Sequence, residues 1–215
     1  MAQVKRQVRR GRPAKIGRPP GSSGEETTAR LLEAAIVHFG DRGYAGARMT
    51  EIAQAAGIRH SSIYQYFASK QELYRAAFDA AQADLLPEYL DAIAGAESLR
   101  EQLAAVFRAS VRAHERRPTI TPFLASIPME LRRHPDLLSS LQAEGGALSD
   151  ALQEMFDRAR RRGEIPSTSQ DTDMMVAFIG SAMGIGLLSH GMPSGHMRSA
   201  VDVLLAVFDG KFFTT

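Results

Sequence analysis

Cysteine is absent from this 215-residue chain. That excludes disulfides, thiol catalysis and zinc sites built on cysteine, and it suits a reducing cytoplasm. Catalytic patterns are missing as well: the chain has no glycine-rich phosphate loop, no nucleophile elbow and no His-Glu-x-x-His. The histidines at 38, 60, 114, 134, 190 and 196 lack metal-ligand spacing, and each reads as a surface or helix-end residue. No enzymatic activity, metal or cofactor is expected. Long apolar runs are also scarce. Residues 174–188 carry no charge but number only 15, against the ~20 that span a bilayer. The pattern predicts a buried helix there and no membrane partner.

Acidic residues are missing from one place in particular. Residues 1–24 hold Lys5, Arg6, Arg9, Arg10, Arg12, Lys15 and Arg18 and no acid. The net charge of the whole chain is +2, so everything after this arm sums to −5. Such asymmetry is the footprint of a nucleic-acid partner. No apolar stretch follows the basic residues, so the arm does not read as a secretory signal. Its Arg, Gly and Pro content predicts disorder.

The chain is organised around residues 49–73. Ile52, Ala53 and Ala56 form one apolar stripe at helical spacing. Gly57 supplies a left-handed stop, and Ile58 anchors the turn. A second helix follows over 60–67. Ile63, Tyr66 and Phe67 face inward, and His60, Ser61, Tyr64 and Gln65 share the opposite face. Helix, glycine turn and a helix with a polar outer face describe a helix-turn-helix.

These residues carry a family resemblance. Phe39, Gly43, Ile52, Ala53, Gly57, Ile63, Tyr64, Tyr66, Phe67, Lys70 and Leu73 resemble the DNA-binding domain of the TetR family of bacterial transcriptional regulators. The resemblance is firm over residues 28–78. It implies an all-α fold: a three-helix DNA-binding head plus a larger helical ligand-binding and dimerisation domain. The organisation expected is a basic arm at 1–24, a DNA-binding domain at 25–73 and an effector-binding and dimerisation domain at 74–215.

By the same resemblance, Tyr64 and Lys70 contact DNA phosphates. Thr50, His60, Ser61, Ser62 and Gln65 sit where the family reads bases or backbone, and Tyr66 is partly core and partly DNA-facing. Gln65 has the groups to pair with adenine and His60 to meet a guanine edge. The family places Ser or Thr where this chain has Arg48 and Ser where it has Arg59. A cation near a helix N-terminus is unfavourable for the dipole, and a phosphate would relieve it. Both arginines are candidate phosphate contacts, with plain surface exposure as the alternative. In the arm, Arg10-Gly11-Arg12-Pro13 resembles an AT-hook core and Gly17-Arg18-Pro19-Pro20 half repeats it. Arg10, Arg12 and Arg18 are candidates for the minor groove of A·T-rich DNA or for unspecific phosphate contact.

The remainder reads as helices. The first runs over 28–42, capped by Thr27 or Thr28 and ended by Gly43. Another spans 70–86 and ends or kinks at Pro87. Ser98 and Glu101 form a capping box opening a helix to 117. Residues 123–133 are kinked or split at Pro128. A helix over 135–162 contains Gly145-Gly146 and ends in an arginine cluster at 158, 160, 161 and 162, which complements its dipole. The last two helices cover 171–189 and 194–208. Ala177, Gly180, Ser181 and Gly184 let a backbone come close, and Val201, Leu204, Leu205 and Phe208 line one stripe of the final helix. Together they fit a symmetric four-helix dimer interface, or else each helix buries against its own chain. Phe107, Phe123, Ile127, Met155, Phe178 and Met183 are the candidate lining of a pocket for a small apolar or amphipathic effector. Glu130 and His134 are read as exposed, or else as orienting a polar group.

The functional expectation is a cytoplasmic regulator, nucleoid-associated when DNA-bound. It would be a ligand-responsive repressor that binds a palindromic operator in double-stranded DNA as a homodimer. One alternative is a DNA-architectural protein that holds A·T-rich DNA through the arm. Another is a helical ligand-binding protein or enzyme with a vestigial head.

Overall fold

A computed structural model describes residues 24–141, 147–193 and 195–213. Among them the secondary structure is helical throughout: α1 (Gly24–Gly46), α2 (Met49–Ala55), α3 (His60–Ile63), α4 (Lys70–Ala94), α5 (Leu99–Arg116), α6 (Ile120–Arg133), α7 (Asp136–Leu141), α8 (Ala147–Arg161), α9 (Asp171–Ser189) and α10 (His196–Phe208). The candidates Arg10, Arg12 and Arg18 lie outside the described residues, as does Gly145-Gly146.

Several boundaries differ from expectation. α1 is already helical at Gly24, so Thr27 and Thr28 lie inside it and do not cap it. The Thr28 hydroxyl instead donates to the Gly24 carbonyl at 3.0 Å, the local bond that Thr makes within a helix. α3 ends at Ile63 rather than 67. Beyond it the bonds shorten to three-residue steps, Gln65 N–H to Ser62 at 3.1 Å and Tyr66 N–H to Ile63 at 3.0 Å. The cause lies just downstream. Ser69 caps α4 by accepting from Glu72 N–H, and the Glu72 carboxyl accepts from Ala68 N–H at 2.7 Å. The chain must leave the α3 path to make those bonds.

Pro87 does not end α4, which runs seven residues past it to Ala94. Pro87 and Ala83, whose carbonyl loses its helical donor, are both exposed, so water can serve that carbonyl. The stretch beyond Pro87 is tied to α5: Glu88 pairs with Arg112 and Arg116 at 2.7 and 3.0 Å. α6 likewise runs unbroken through Pro128. The capping box at the start of α5 is present, with Ser98 and Glu101 each bonding the other's backbone. Ser98→Ala should cost about 1 kcal/mol, read as a shift in the urea midpoint at unchanged slope. A shift indistinguishable from zero would mean that this cap does not hold the helix.

The buried apolar residues form two clusters. The first joins α1–α3 to the start of α4 and to α6 and α7: Leu31, Phe39, Ile52, Ile63 and Tyr74 pack with Phe123 and Leu137. Phe39, Tyr74 and Phe123 meet ring to ring, at 4.8–6.3 Å between centroids. The second cluster draws on α5, α8, α9 and α10 and includes Phe107, Met155, Phe156, Phe178, Val201 and Leu205. α4 contributes to both. A division at residue 73 therefore separates stretches of sequence, while the packing runs continuously across it.

Candidate nucleic-acid interface and ligand cavity

α2 and α3 present one polar face. Arg48, Thr50, Arg59, His60, Ser61, Tyr64 and Gln65 are exposed, and Ser62, Tyr66 and Lys70 are half-buried. Ile63 and Phe67 hold this face from beneath. Arg48 and Arg59 stand at the N-caps of α2 and α3, and neither side chain caps its helix. His60 and Tyr64, one turn apart, contact edge to face at 5.3 Å, with Tyr64 Oη 3.4 Å from His60 Nε2. Lys70 is folded back: its ammonium donates to the Ala45 carbonyl at 3.2 Å and lies 4.9 Å from the centre of the Tyr44 ring. Burial lowers its pKa. A lysine ammonium has three donors, so the Ala45 bond leaves others for a phosphate.

Behind this face the head is locked to α6. Glu130 is 4% exposed, which corrects the expectation that it lies on the surface. Its carboxyl accepts from Tyr44 N–H at 3.1 Å, and Arg133 and His134 approach it from the same helix at 3.4 and 3.8 Å. Gly43 makes this approach possible. It adopts φ 68 and ψ 175, and a Cβ there would lie 2.7 Å from Glu130 Oε1.

The opposite side of α6 faces a cavity of about 380 Å³, within the range of small-molecule sites. Of the residues expected to line it, Ile127, Phe178 and Met183 do. Phe107 and Met155 do not: they are fully buried in the second cluster, beneath the wall. Phe123 is buried in the first cluster, on the α1 side of α6. The wall that sequence reasoning missed comes from α4 and α5, including Phe78, Leu85, Tyr89 and Ser110. Their spacing, with 78, 82, 85 and 89 on one side of α4, is visible in the sequence. Of these four only Tyr89 lies beyond Pro87, where the helix was expected to end or kink.

The C-terminal helices correct two expectations. α9 is not buried in its own chain. It is long and apolar enough to cross a membrane, and only 17% of its apolar window is buried. Phe178, Gly186 and Ser189 face inward, while Val176, Leu187 and Leu188 are exposed. Ala177 and Gly180 are exposed, and Ser181 and Gly184 half-buried. On α10, Val201 and Leu205 are buried and Leu204 half-buried against the second cluster. The helix inserts this stripe into its own core, so these three do not form a free face. The exposed apolar side chains of α10 are Val203, Val207 and Phe208. In the arginine cluster Arg158, Arg160 and Arg162 pair with Glu154, Asp157 and Glu164 at 2.5–2.9 Å, and Arg160 also pairs with Asp171.

Comparison with known proteins fits this architecture. Residues 31–77 match the profile of bacterial regulatory proteins, tetR family. Residues 93–204 match that of the tetracyclin repressor-like C-terminal domain. The HTH-type transcriptional regulator YezE of Bacillus subtilis is 22% identical over 193 residues, spanning 88% of this chain and 100% of its own. BetI of Rhizobium meliloti, also an HTH-type transcriptional regulator, is 33% identical over 96 residues, 44% of this chain and 47% of its own. Two solved structures share the fold. FadR from Bacillus subtilis, in complex with stearoyl-CoA, superposes with a TM-score of 0.67 at 16% identity over 83% of this chain and 97% of its own. AibR, in complex with isovaleryl coenzyme A and operator DNA, gives 0.69 at 20% identity over 84% and 97%. From the head to the final helix, the chain belongs to the TetR family of helix-turn-helix transcriptional regulators, which are not enzymes.

Proposed function

We propose that the protein is a ligand-responsive repressor that binds a palindromic operator as a homodimer. One observation carries this reading. α3, with Arg59 at its N-cap and Arg48 at that of α2, shares a continuous packed core with α6, whose far side lines the cavity. Each protomer would set α3 in a major groove, with half-sites about 34–36 Å apart for one helical turn. Tyr64, Lys70, Arg48 and Arg59 would hold phosphates and fix register. His60, Gln65 and the nearby Thr50, Ser61 and Ser62 would meet bases or backbone. The arm's Arg10, Arg12 and Arg18 would add minor-groove contacts. In this reading residues 25–73 bind DNA, residues 74–215 bind effector and partner, and the protein works in the cytoplasm at the nucleoid.

Pairing would use the exposed faces of α9 and α10. Gly180 and Gly184 have open space where a Cβ would stand, so a second backbone can approach α9 closely. The effector would be a small apolar or amphipathic molecule in the cavity. The acyl-CoA ligands of FadR and AibR make thioesters one class to compare. A ligand that spreads α4 from α6 would favour a head separation that no longer fits the operator. It can shift that equilibrium only by its differential affinity for the two states.

The reading is tested by selecting binding sites from random DNA duplexes with the full-length protein. An enriched palindrome supports it, whereas retention of A·T-rich bulk DNA without one would overturn it. On the selected operator, Arg48→Ala and Arg59→Ala should each make the plot of log affinity against log salt shallower by about 0.9 per protomer, without changing the preferred sequence. An unchanged slope would return both to the status of surface arginines.

A further inference from the structure

The cavity wall says which ligands it accepts. Arg117 is the only charged residue among the described residues that line it. Its guanidinium is already matched twice, by Glu33 of α1 and by Asp84 of α4 at 3.2 Å. The neighbouring Arg112 and Arg116 are both held by Glu88. Thr121, also on the wall, has His114 Nδ1 2.9 Å from its hydroxyl. Burial, and then the nearby His190, lower the His114 pKa and favour the neutral ring. Among the described residues the wall thus carries no uncompensated cation. An anion placed there would lose its hydration and gain no counter-charge.

The wall does carry a hydrogen-bonding pair. Ser110 Oγ lies 3.2 Å from Tyr89 Oη and 3.0 Å from the Val106 carbonyl. Ser110 has one proton. When it goes to Val106, Ser110 can accept from Tyr89. When it goes to Tyr89, the phenol proton is free to point elsewhere. The pair can therefore offer a ligand either a donor or an acceptor without a change of charge. Burial raises the Tyr89 pKa, which keeps the phenol protonated at neutral pH.

We propose that the cavity takes an uncharged, largely apolar group bearing one hydroxyl or carbonyl, that the Tyr89–Ser110 pair hydrogen-bonds this group, and that the carboxylate form of the same chain is excluded. This inference rests on the reading of the cavity as the effector site. It narrows that reading to ligands whose enclosed part is neutral.

The test is calorimetric titration of the full-length protein with decanol and decanoate at neutral pH. It is repeated with Tyr89→Phe and Ser110→Ala after circular dichroism has shown each variant folded. Decanol is expected to bind at least about tenfold more tightly than decanoate. Tyr89→Phe should lose about tenfold for decanol, the effect of an unmade hydrogen bond in a buried site. Ser110→Ala should lose a similar factor, so that either folded variant suffices. Decanoate binding as tightly as decanol would overturn the inference and leave the effector cavity standing. So would unchanged decanol affinity in the variants. Binding of neither would overturn both.

Discussion

Gly43→Ala should destabilise the protein by about 1–6 kcal/mol, against the ~5–15 kcal/mol that holds a typical domain folded. Two costs add. The backbone at φ 68, ψ 175 is in a region essentially restricted to glycine, and an L-residue forced there costs about 1–3 kcal/mol. The new methyl would also stand 2.7 Å from Glu130 Oε1. The carboxylate ends a flexible side chain and can shift, but it is buried and its other oxygen accepts from Tyr44 N–H, so the shift adds at most the ~1.5–3 kcal/mol of that bond. Gly57 is the control. It too has positive φ, at 72, but nothing lies within 4 Å of its Cβ position. Gly57→Ala should therefore cost only the backbone strain, about 1–2 kcal/mol. Urea unfolding of both variants measures the difference. Pairing Gly43→Ala with Glu130→Ala should yield a coupling of at least about 1 kcal/mol. Equal losses at the two glycines, or strict additivity in the pair, would show that Glu130 does not lock the head to α6.

That lock also shows where sequence reading stopped. The head was legible because its signals are local. The Ile52 stripe and the Gly57 turn fall within one short stretch and land where expected, and Ile63 and Phe67 are buried although α3 itself stops at Ile63. Arg48 and Arg59 were noticed because they occupy cap positions poorly suited to cations, and the structure puts both at N-caps without cap bonds. Glu130 was misplaced because its partner, Tyr44, lies 86 residues away. Nothing near it in the chain predicts burial. α10 was read in part, for a different reason: Phe208 is exposed, whereas Val201, Leu204 and Leu205 pack inward. Its stripe at 201, 204, 205 and 208 was correctly apolar, but periodicity does not say whether a face meets its own core or another chain. The helix itself divides the roles: Val201 and Leu205 turn inward, Val203 and Val207 outward.

The cavity was half legible for a reason peculiar to crossing helices. Ile127, Phe178 and Met183 were found because long apolar residues in α6 and α9 are candidates anywhere. Phe107 and Met155 have the same chemistry but sit behind the wall. Only the angle at which α4 and α5 approach decides which of these faces the void. Once α4 is seen to continue through Pro87, Phe78, Leu85 and Tyr89 fall into line along one helix. One continuous helix then touches both the head, through Leu73 and Tyr74, and the cavity. In the proposed mechanism a ligand that displaces it would move the other end.

A charge placed on the outward faces of α9 and α10 should have the largest effect on DNA binding. Leu188 is 72% exposed and Val203 48%, so the Leu188→Glu, Val203→Glu double variant should fold as well as the parent. In the proposed dimer both carboxylates would be desolvated opposite an apolar partner face, which costs several kcal/mol per charge unless paired. Dimerisation should fail. Each head would then meet its half-site alone, without the high effective concentration that a linked partner supplies. Affinity for a two-half-site operator should fall by about 10²–10⁴, while binding to a single half-site should stay unchanged. Sedimentation velocity reads the mass, and operator titration reads the loss. A variant that sediments as a dimer would place the interface elsewhere. A monomeric variant with unaltered operator affinity would show that the two heads are not bound as a pair, and the palindromic reading would fall with it. The same variant bears on α9 as a membrane helix: the carboxylate at position 188, which lies on α9, would weaken retention by lipid vesicles if the parent showed any, whereas a parent that pairs in solution should show none.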